Sequence, residues 1–150
     1  MPFLRLVFAL LVKMDCIVFI YKPNIIKYWL MKTNKELVTE FAKTWNNLDS
    51  SYIRELLIED FHYSSQWVFS DIENKKDYLE YLVGKLKAIA NSGGSLVAEL
   101  GIFNNKYCLV LTQDTKVTFL VDTEDGKIIG ASTCMIPAPE KVKLLGIIPK

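Results

Sequence analysis

Residues 96–136, LVAELGIFNNKYCLVLTQDTKVTFLVDTEDGKIIGASTCMI, carry the strongest fold signal in the chain, because apolar residues alternate along them with period two. The alternation predicts four strands, at Leu96–Phe103, Lys106–Gln113, Val117–Thr123 and Lys127–Ile136. The connections between these strands are so short that the strands they join must be antiparallel neighbours. We therefore expect an antiparallel meander in the second half of the chain.

Three helices are predicted before the meander. The first begins at a capping box formed by Thr33 and Glu36, and its apolar stripe is Leu37, Phe41, Trp45 and Leu48. A second, short helix is expected after Asp49-Ser50-Ser51, with Tyr52, Ile53, Leu56 and Leu57 facing inward. Asn74 caps the third helix, and its buried stripe is Tyr78, Leu82, Leu86 and Ile89. Helices followed by a meander are typical of an α+β domain.

Two further segments are apolar or aromatic. Between the second and third helices, Phe61–Ser64 and Trp67–Phe69 predict two brief strands. After the meander, Pro137 and Pro139 end the last strand. The apolar tail Leu144–Ile148 is either another strand or a contact surface.

Residues 1–30 form an apolar segment that carries Arg5, Lys13, Lys22 and Lys27 against Asp15. Three interpretations are open. Met31 is the true start and the segment comes from an upstream start, or the segment is an extra packed element, or it has a membrane or export role. Charges at positions 13 and 15 oppose a spanning helix. We expect residues 31–150 to form a single domain.

Composition excludes several classes of function. The 18 basic and 17 acidic side chains leave a net charge of +1, so we expect no nucleic-acid partner. Three cysteines without a CxxC motif, and a single histidine, argue against a zinc site or a disulfide scaffold. We predict no metal and no cofactor, no membrane partner and a cytoplasmic location.

The order of these elements resembles the nuclear transport factor 2-like (SnoaL-like) superfamily over about residues 33–137, some 70% of the chain. The segments that carry the resemblance are Lys35–Asn47, Leu48-Asp49, Leu56-Leu57, Asp60-Phe61, Tyr63, Ile72–Leu82 and the closing hairpin at Asp125–Ile128. It implies three N-terminal helices packed on a curved antiparallel sheet, the cone-shaped, cystatin-like architecture. It also implies a homodimer, which is common in this superfamily.

The superfamily contains isomerases, cyclases, dehydratases and epoxide hydrolases as well as non-catalytic binding and association domains, so the resemblance alone does not fix a function. The catalytic tyrosine of the steroid isomerases falls at Phe41 of this chain. Their aspartate base falls at about Ser64 or Ser65, and their protonated aspartate at about Thr118. None of these positions holds the acid or base that the isomerase chemistry needs.

Acid–base chemistry by other residues is a second hypothesis. His62, beside Asp60 or Glu99, is a candidate general base. The alternative for His62 is a structural role, because Phe61 and Tyr63 share one face of the predicted strand and His62 points to the other. The alternative for Glu99 is a solvated outer face of the sheet.

Aromatic residues gather where the helices meet the first strands, and a pocket for an apolar or aromatic small molecule is the function we rank first. The candidate ligand-binding residues are Trp45, Tyr52, Tyr63, Trp67 and Phe69. Ordinary core packing is the alternative for this group. Three function classes therefore stand at this point: a small-molecule-binding domain, a homodimeric interaction module, and an acid–base enzyme that uses His62 with Glu99 or Asp60.

Overall fold

The helices and strands are described from a computed structural model, which covers residues 30–67 and 69–150. Residues 1–29 lie outside this description, and the three interpretations of the N-terminal segment concern these residues. Six strands form one sheet: β1 (Leu57–Ser65), β2 (Val97–Phe103), β3 (Lys106–Thr112), β4 (Lys116–Glu124), β5 (Lys127–Cys134) and β6 (Lys143–Ile147). Their order across the sheet is β1-β5-β4-β3-β2-β6.

The predicted meander is confirmed. Strands β2 to β5 pair as antiparallel neighbours in sequence order. The β2–β3 turn places Asn104 and Asn105 at φ 48° and 60°, and the β4–β5 turn places Asp125 and Gly126 at φ 48° and 73°. Such positive φ values at both central residues characterise the tight hairpin turns that Asn and Gly favour. The turn residues therefore set the register of these hairpins.

The sheet is mixed and not purely antiparallel as predicted, because β1 pairs with β5 in parallel. The tail supplies the sixth strand: β6 pairs antiparallel with β2 at the opposite edge. Gly101 of β2 permits this close approach, since a Cβ there would overlap the side chain of Val142. The tail therefore forms a strand, which is one of the two interpretations that its sequence left open.

The prediction of three N-terminal helices is not confirmed. Residues 32–150 contain two α-helices, α1 (Asn34–Asn47) and α2 (Lys75–Asn91), and the predicted capping box at Thr33 forms. The predicted second helix is a single 3₁₀ turn at Ser50–Tyr52. It stops because the Leu56 carbonyl accepts a hydrogen bond from the Ile128 amide at 2.8 Å, so the chain has already joined the sheet. Sheet pairing outweighs the helical signal here.

The two brief aromatic strands are also corrected. Phe61–Ser64 belongs to the longer strand β1, whereas Trp67 and Phe69 lie in a loop. The loop closes where Tyr63 and Ile72 exchange two backbone hydrogen bonds of 2.8 and 2.9 Å. The Ser65 hydroxyl accepts from the Trp67 amide at 3.2 Å and supports the turn. This turn places Trp67 outside the sheet.

An aromatic cluster fills the space between the helices and the sheet. Its members are Phe41, Phe61, Tyr63, Tyr78 and Phe119, all fully buried. Their ring centroids are separated by 4.5–6.5 Å in tilted or edge-on arrangements, which are the favourable geometries for aromatic pairs. The outer face of the sheet is covered in part by Val142, which packs against Cys108 and Val110. Within the described residues, no helix is both long enough and apolar enough to cross a membrane.

Candidate functional site

A cavity of about 210 Å³ lies at the end of the sheet where α1 stops. The C-terminal part of α1, the middle of α2, the loop after β1 and the turn between β3 and β4 surround it. We call it the tryptophan cavity, and its wall is Trp45, Trp67, Lys85, Leu96, Leu111, Gln113, Asp114, Thr115, Val117 and Thr133. It combines an apolar wall with a few polar groups, which is the usual composition of a small-molecule site.

Each of these wall residues is positioned by the helix, strand or loop that carries it. Trp45 belongs to the buried stripe of α1 and is only 2% exposed. Trp67 is carried by the loop after β1 and is 55% exposed. Lys85 stands on α2 two helical turns after Tyr78, so it lies on the same side of that helix. Thr133 comes from the inward-facing side of β5 and is buried.

Apart from the exposed Asp114 carboxylate, each polar side chain of the cavity wall can donate a hydrogen bond. The indole N–H of Trp45 is buried and has no partner among the described residues. The Lys85 ammonium lies 3.3 Å from the Tyr81 hydroxyl and 5.7 Å from the centre of its ring. The Thr133 and Tyr63 hydroxyls are hydrogen-bonded to each other at 2.9 Å. An occupant with acceptor atoms would therefore satisfy the cavity better than another donor.

The phenols next to the cavity stay protonated at neutral pH. Burial raises the pKa of Tyr63, and the neighbouring Thr133 hydroxyl offsets part of this increase. Burial also raises the pKa of Tyr78 well above its usual value, and no described group bonds its hydroxyl. Neither group can serve as a general base near pH 7. Tyr63 can act only as a neutral hydrogen-bonding group.

The five aromatic residues suggested by the sequence fall into different environments. Trp45 and Trp67 line the cavity, and Tyr63 reaches its wall through Thr133. Tyr52 is half-buried on the 3₁₀ turn and does not line the cavity. Phe69 projects fully into solvent, with a relative exposure of 112%. The prediction that Phe69 lies in a strand with Trp67 was wrong, so there is no shared strand face that would bring the two side chains together.

Sequence reasoning missed Lys85 and Thr133. A signal for Lys85 was present, because a lysine at position 85 interrupts the apolar stripe of α2 between Leu82 and Leu86. A charge on a buried helix face usually has a partner or a ligand. Thr133 gave no comparable signal, since a threonine in a strand is common on either face.

The structure separates His62 from Glu99, one of its two proposed partners. His62 and Glu99 both lie on the outer face of the sheet, away from the helices, and three strands separate β1 from β2. At about 4.8 Å per strand this places their backbones roughly 19 Å apart. The His62 imidazole pairs instead with Asp71, at 3.3 Å between Nε2 and Oδ2, and both side chains are half-exposed. Asp60 is exposed on the same strand.

The positions that correspond to the isomerase triad do not meet in the structure. Phe41 is buried in the aromatic cluster. Thr118 faces the other side of the sheet, where its hydroxyl donates to the Pro137 carbonyl at 2.6 Å. Ser64, which alternates with Tyr63 along β1, also faces outward. Because these positions hold phenylalanine, serine and threonine, none of them supplies a carboxyl group to the tryptophan cavity.

Two other groups of residues were considered as sites. A larger cavity, of about 460 Å³, lies at the opposite end of the sheet between the start of α1 and the β2–β3 turn. Charged side chains of Lys106, Asp122 and Glu124 line it, and no buried polar atom without a partner adjoins it. On the outer face, burial raises the pKa of the Cys108 thiol to about 11, so this thiol is unreactive at neutral pH. In the described part of the chain, no three potential ligands cluster as a metal site would require.

Three solved structures are similar to the chain. A nuclear transport factor 2-like protein of unknown function from Cytophaga hutchinsonii has 18% identity and a TM-score of 0.51, with 70% of this chain and 93% of that chain covered. A nuclear transport factor 2-like protein from Anabaena variabilis has 12% identity and a TM-score of 0.53, with the same coverage. The extracytoplasmic function sigma factor SigJ of Mycobacterium tuberculosis has 11% identity and a TM-score of 0.53.

The alignment with the sigma factor covers 67% of this chain but only 41% of that protein. No family model matches the sequence, and no curated protein matches it. At these identities the similarity establishes the fold and not the activity. The chain therefore has the nuclear transport factor 2-like fold, as its sequence predicted.

Proposed function

We propose that the protein binds a small apolar or aromatic molecule in the tryptophan cavity. The observation that carries this proposal is the pair of tryptophans in the cavity wall, Trp45 almost fully buried and Trp67 half-exposed. A ligand placed between them would bury apolar surface of Trp67, which contributes about 25 cal/mol per Å². The same ligand could accept a hydrogen bond from Lys85, whose side chain also lines the cavity.

Binding without catalysis is the simpler function for this cavity. Lys85 and Asp114 are the titratable side chains in the wall, and Asp114 is exposed on the β3–β4 turn. No described histidine or buried carboxyl group lines the cavity. Acid–base chemistry by His62 would have to occur on the other face of the sheet, where the structure offers only its exposed pair with Asp71.

Ligand binding is tested with small neutral aromatic compounds, namely indole, phenol and phenylacetamide, by thermal unfolding of the full chain. A compound at 100 times its Kd stabilises the folded state by about 2.7 kcal/mol, which raises the Tm by several degrees. We expect at least one of them to do so, and Trp67→Ala to weaken its binding about tenfold or more. Phe69→Ala is the matched control, because it removes an aromatic ring from the same loop but not from the cavity. Binding that Trp67→Ala leaves unchanged would refute the proposed site.

A homodimeric interaction module is the second candidate. Large apolar side chains are exposed at Met135 and Ile136 and along the edge strand β6, at Leu144, Leu145 and Ile147. Exposed apolar side chains at a sheet edge favour contact with another chain. Sedimentation of the full chain at micromolar concentration tests this candidate: a dimer that Ile147→Lys dissociates is expected, and a monomer at all concentrations would contradict it.

A further inference from the structure

We propose that the ligand of the tryptophan cavity is a small aromatic acid, whose carboxylate is bound by Lys85 while its ring contacts the two tryptophans. This inference rests on the proposed function and specifies its substrate class. It depends on three observations: the position and partners of Lys85, the donor character of the polar wall, and the size of the cavity.

Lys85 brings a positive charge to a partly buried position without a carboxylate partner. The ion pairs of the described residues engage other lysines, at Lys32, Lys43 and Lys75, and none involves Lys85. Its one polar side-chain contact is the Tyr81 hydroxyl, a neutral group. A partly desolvated ammonium gains most from an anion that can also accept its hydrogen bonds. The helix therefore presents a cation to the cavity that the described residues leave uncompensated.

The remaining polar groups also favour a carboxylate. The Gln113 amide and the Thr115 hydroxyl of the wall can each donate a hydrogen bond to it. The Thr133 hydroxyl can donate to a ligand while it accepts from Tyr63. Asp114 carries the opposing negative charge in the wall, but it is exposed on the turn and pairs with no described lysine. Water and salt screen its charge more strongly than they screen a carboxylate beside Lys85.

The volume restricts the apolar part of the ligand. A cavity of 210 Å³ is smaller than the roughly 300–1,000 Å³ of sites for drug-sized molecules. The side chains of Leu96, Leu111 and Val117 complete its apolar wall. The aromatic cluster beneath, including Phe119 and Tyr63, closes off further depth. A single aromatic ring with a short acidic side chain is therefore the class that we infer.

The test compares phenylacetate with phenylacetamide, which differ in charge but hardly in shape. Their binding is measured by quenching of tryptophan fluorescence in the full chain at low ionic strength. We expect phenylacetate to bind at least about tenfold more tightly than phenylacetamide, because both accept a hydrogen bond from the Lys85 ammonium but only the carboxylate also pairs with its charge. In Lys85→Met this preference should disappear, and in wild type it should shrink as salt is added. Lys87→Met, an exposed position on the same helix, is the control and should keep the preference.

The outcomes separate the two proposals. If both compounds bind equally in wild type and Lys85→Met changes neither, the cavity binds ligands but the inference about the carboxylate is wrong. If neither these compounds nor the neutral panel binds, the proposed function itself fails. If Lys85→Met unfolds the protein, Lys85→Arg is measured instead. Because arginine keeps the positive charge, the preference for phenylacetate must persist in Lys85→Arg. Loss of that preference would overturn the assignment of Lys85.

Discussion

Phe119→Ala is expected to lower the free energy of unfolding by about 3–5 kcal/mol, as large-to-small substitutions of buried aromatic residues do. Phe119 is fully buried on the inward face of β4. Its ring lies 4.9 Å from that of Phe41, 5.7 Å from that of Trp45 and 6.5 Å from that of Tyr63. It therefore joins α1 to two strands, and its loss would leave a hole that these side chains can fill only in part. Such a loss is a large share of the 5–15 kcal/mol that stabilises a typical domain.

Chemical denaturation of the full chain measures this loss. Phe69→Ala is a matched control, because Phe69 is fully exposed and its removal should change the free energy of unfolding by less than about 0.5 kcal/mol. Equal destabilisation by the two substitutions would contradict the placement of both rings. Phe119→Ala also removes a neighbour of Trp45, so we expect a change in tryptophan fluorescence that Phe69→Ala does not produce.

Asn46→Ala is expected to lower the free energy of unfolding by about 2–4 kcal/mol, because it leaves a buried N–H and a buried C=O without partners. The Asn46 side chain accepts from the Ala98 amide at 2.7 Å and donates to the Ala98 carbonyl at 3.2 Å. It also donates to the Ile148 carbonyl at 3.3 Å. Asn46 therefore hydrogen-bonds to β2 and to the residue that follows the end of β6. Through these bonds it attaches both β2 and the C-terminal tail to α1.

Two variants separate this role from a general helix effect. Asn46→Asp keeps the acceptor and the shape but loses the donor, so we expect it to destabilise at neutral pH as well. Asn47→Ala removes the neighbouring amide, whose hydrogen bond goes to Lys43 within the same helix at 2.9 Å, and should cost less than about 1 kcal/mol. If Asn47→Ala and Asn46→Ala had the same effect in denaturation measurements, the cross-link would not be the reason for the stability of this end of α1.

The sequence alone predicted secondary-structure elements correctly where the signal for them lies within a few residues. The capping box at Thr33 and the cap at Asn74 form as predicted, and the short connections of the meander are tight turns at Asn104-Asn105 and Asp125-Gly126. Each depends on hydrogen bonds or φ values of residues close in the chain. The errors arose at residues 50–57 and 67–69, where local patterns for a helix and a strand compete with pairing to distant strands.

The candidate site was predictable only in part. Two of the aromatic residues in its wall, Trp45 and Trp67, were proposed from their clustering near the start of the sheet. Lys85 and Thr133 were not, because whether they face the cavity depends on how α2 and β5 pack and not on their neighbours in sequence. His62 and Glu99 were proposed together, yet the sheet order places β5, β4 and β3 between their strands.

Asn46 shows where the limit of sequence reasoning lies. In the sequence, Asn46-Asn47 indicates a break in the first helix, and the helix does end at Asn47. The same residue has a second role, because its amide pairs with Ala98, 52 positions further along the chain. Sequence by itself determined helices α1 and α2, the hairpins of the meander and the α+β class, since hydrophobic period and turn chemistry are local properties. Tertiary structure alone fixed the parallel pairing of β1 with β5, the sixth strand at the edge of β2 and the groups that surround the cavity. Those depend on contacts between residues far apart in the chain, for which no local energy term selects the partner.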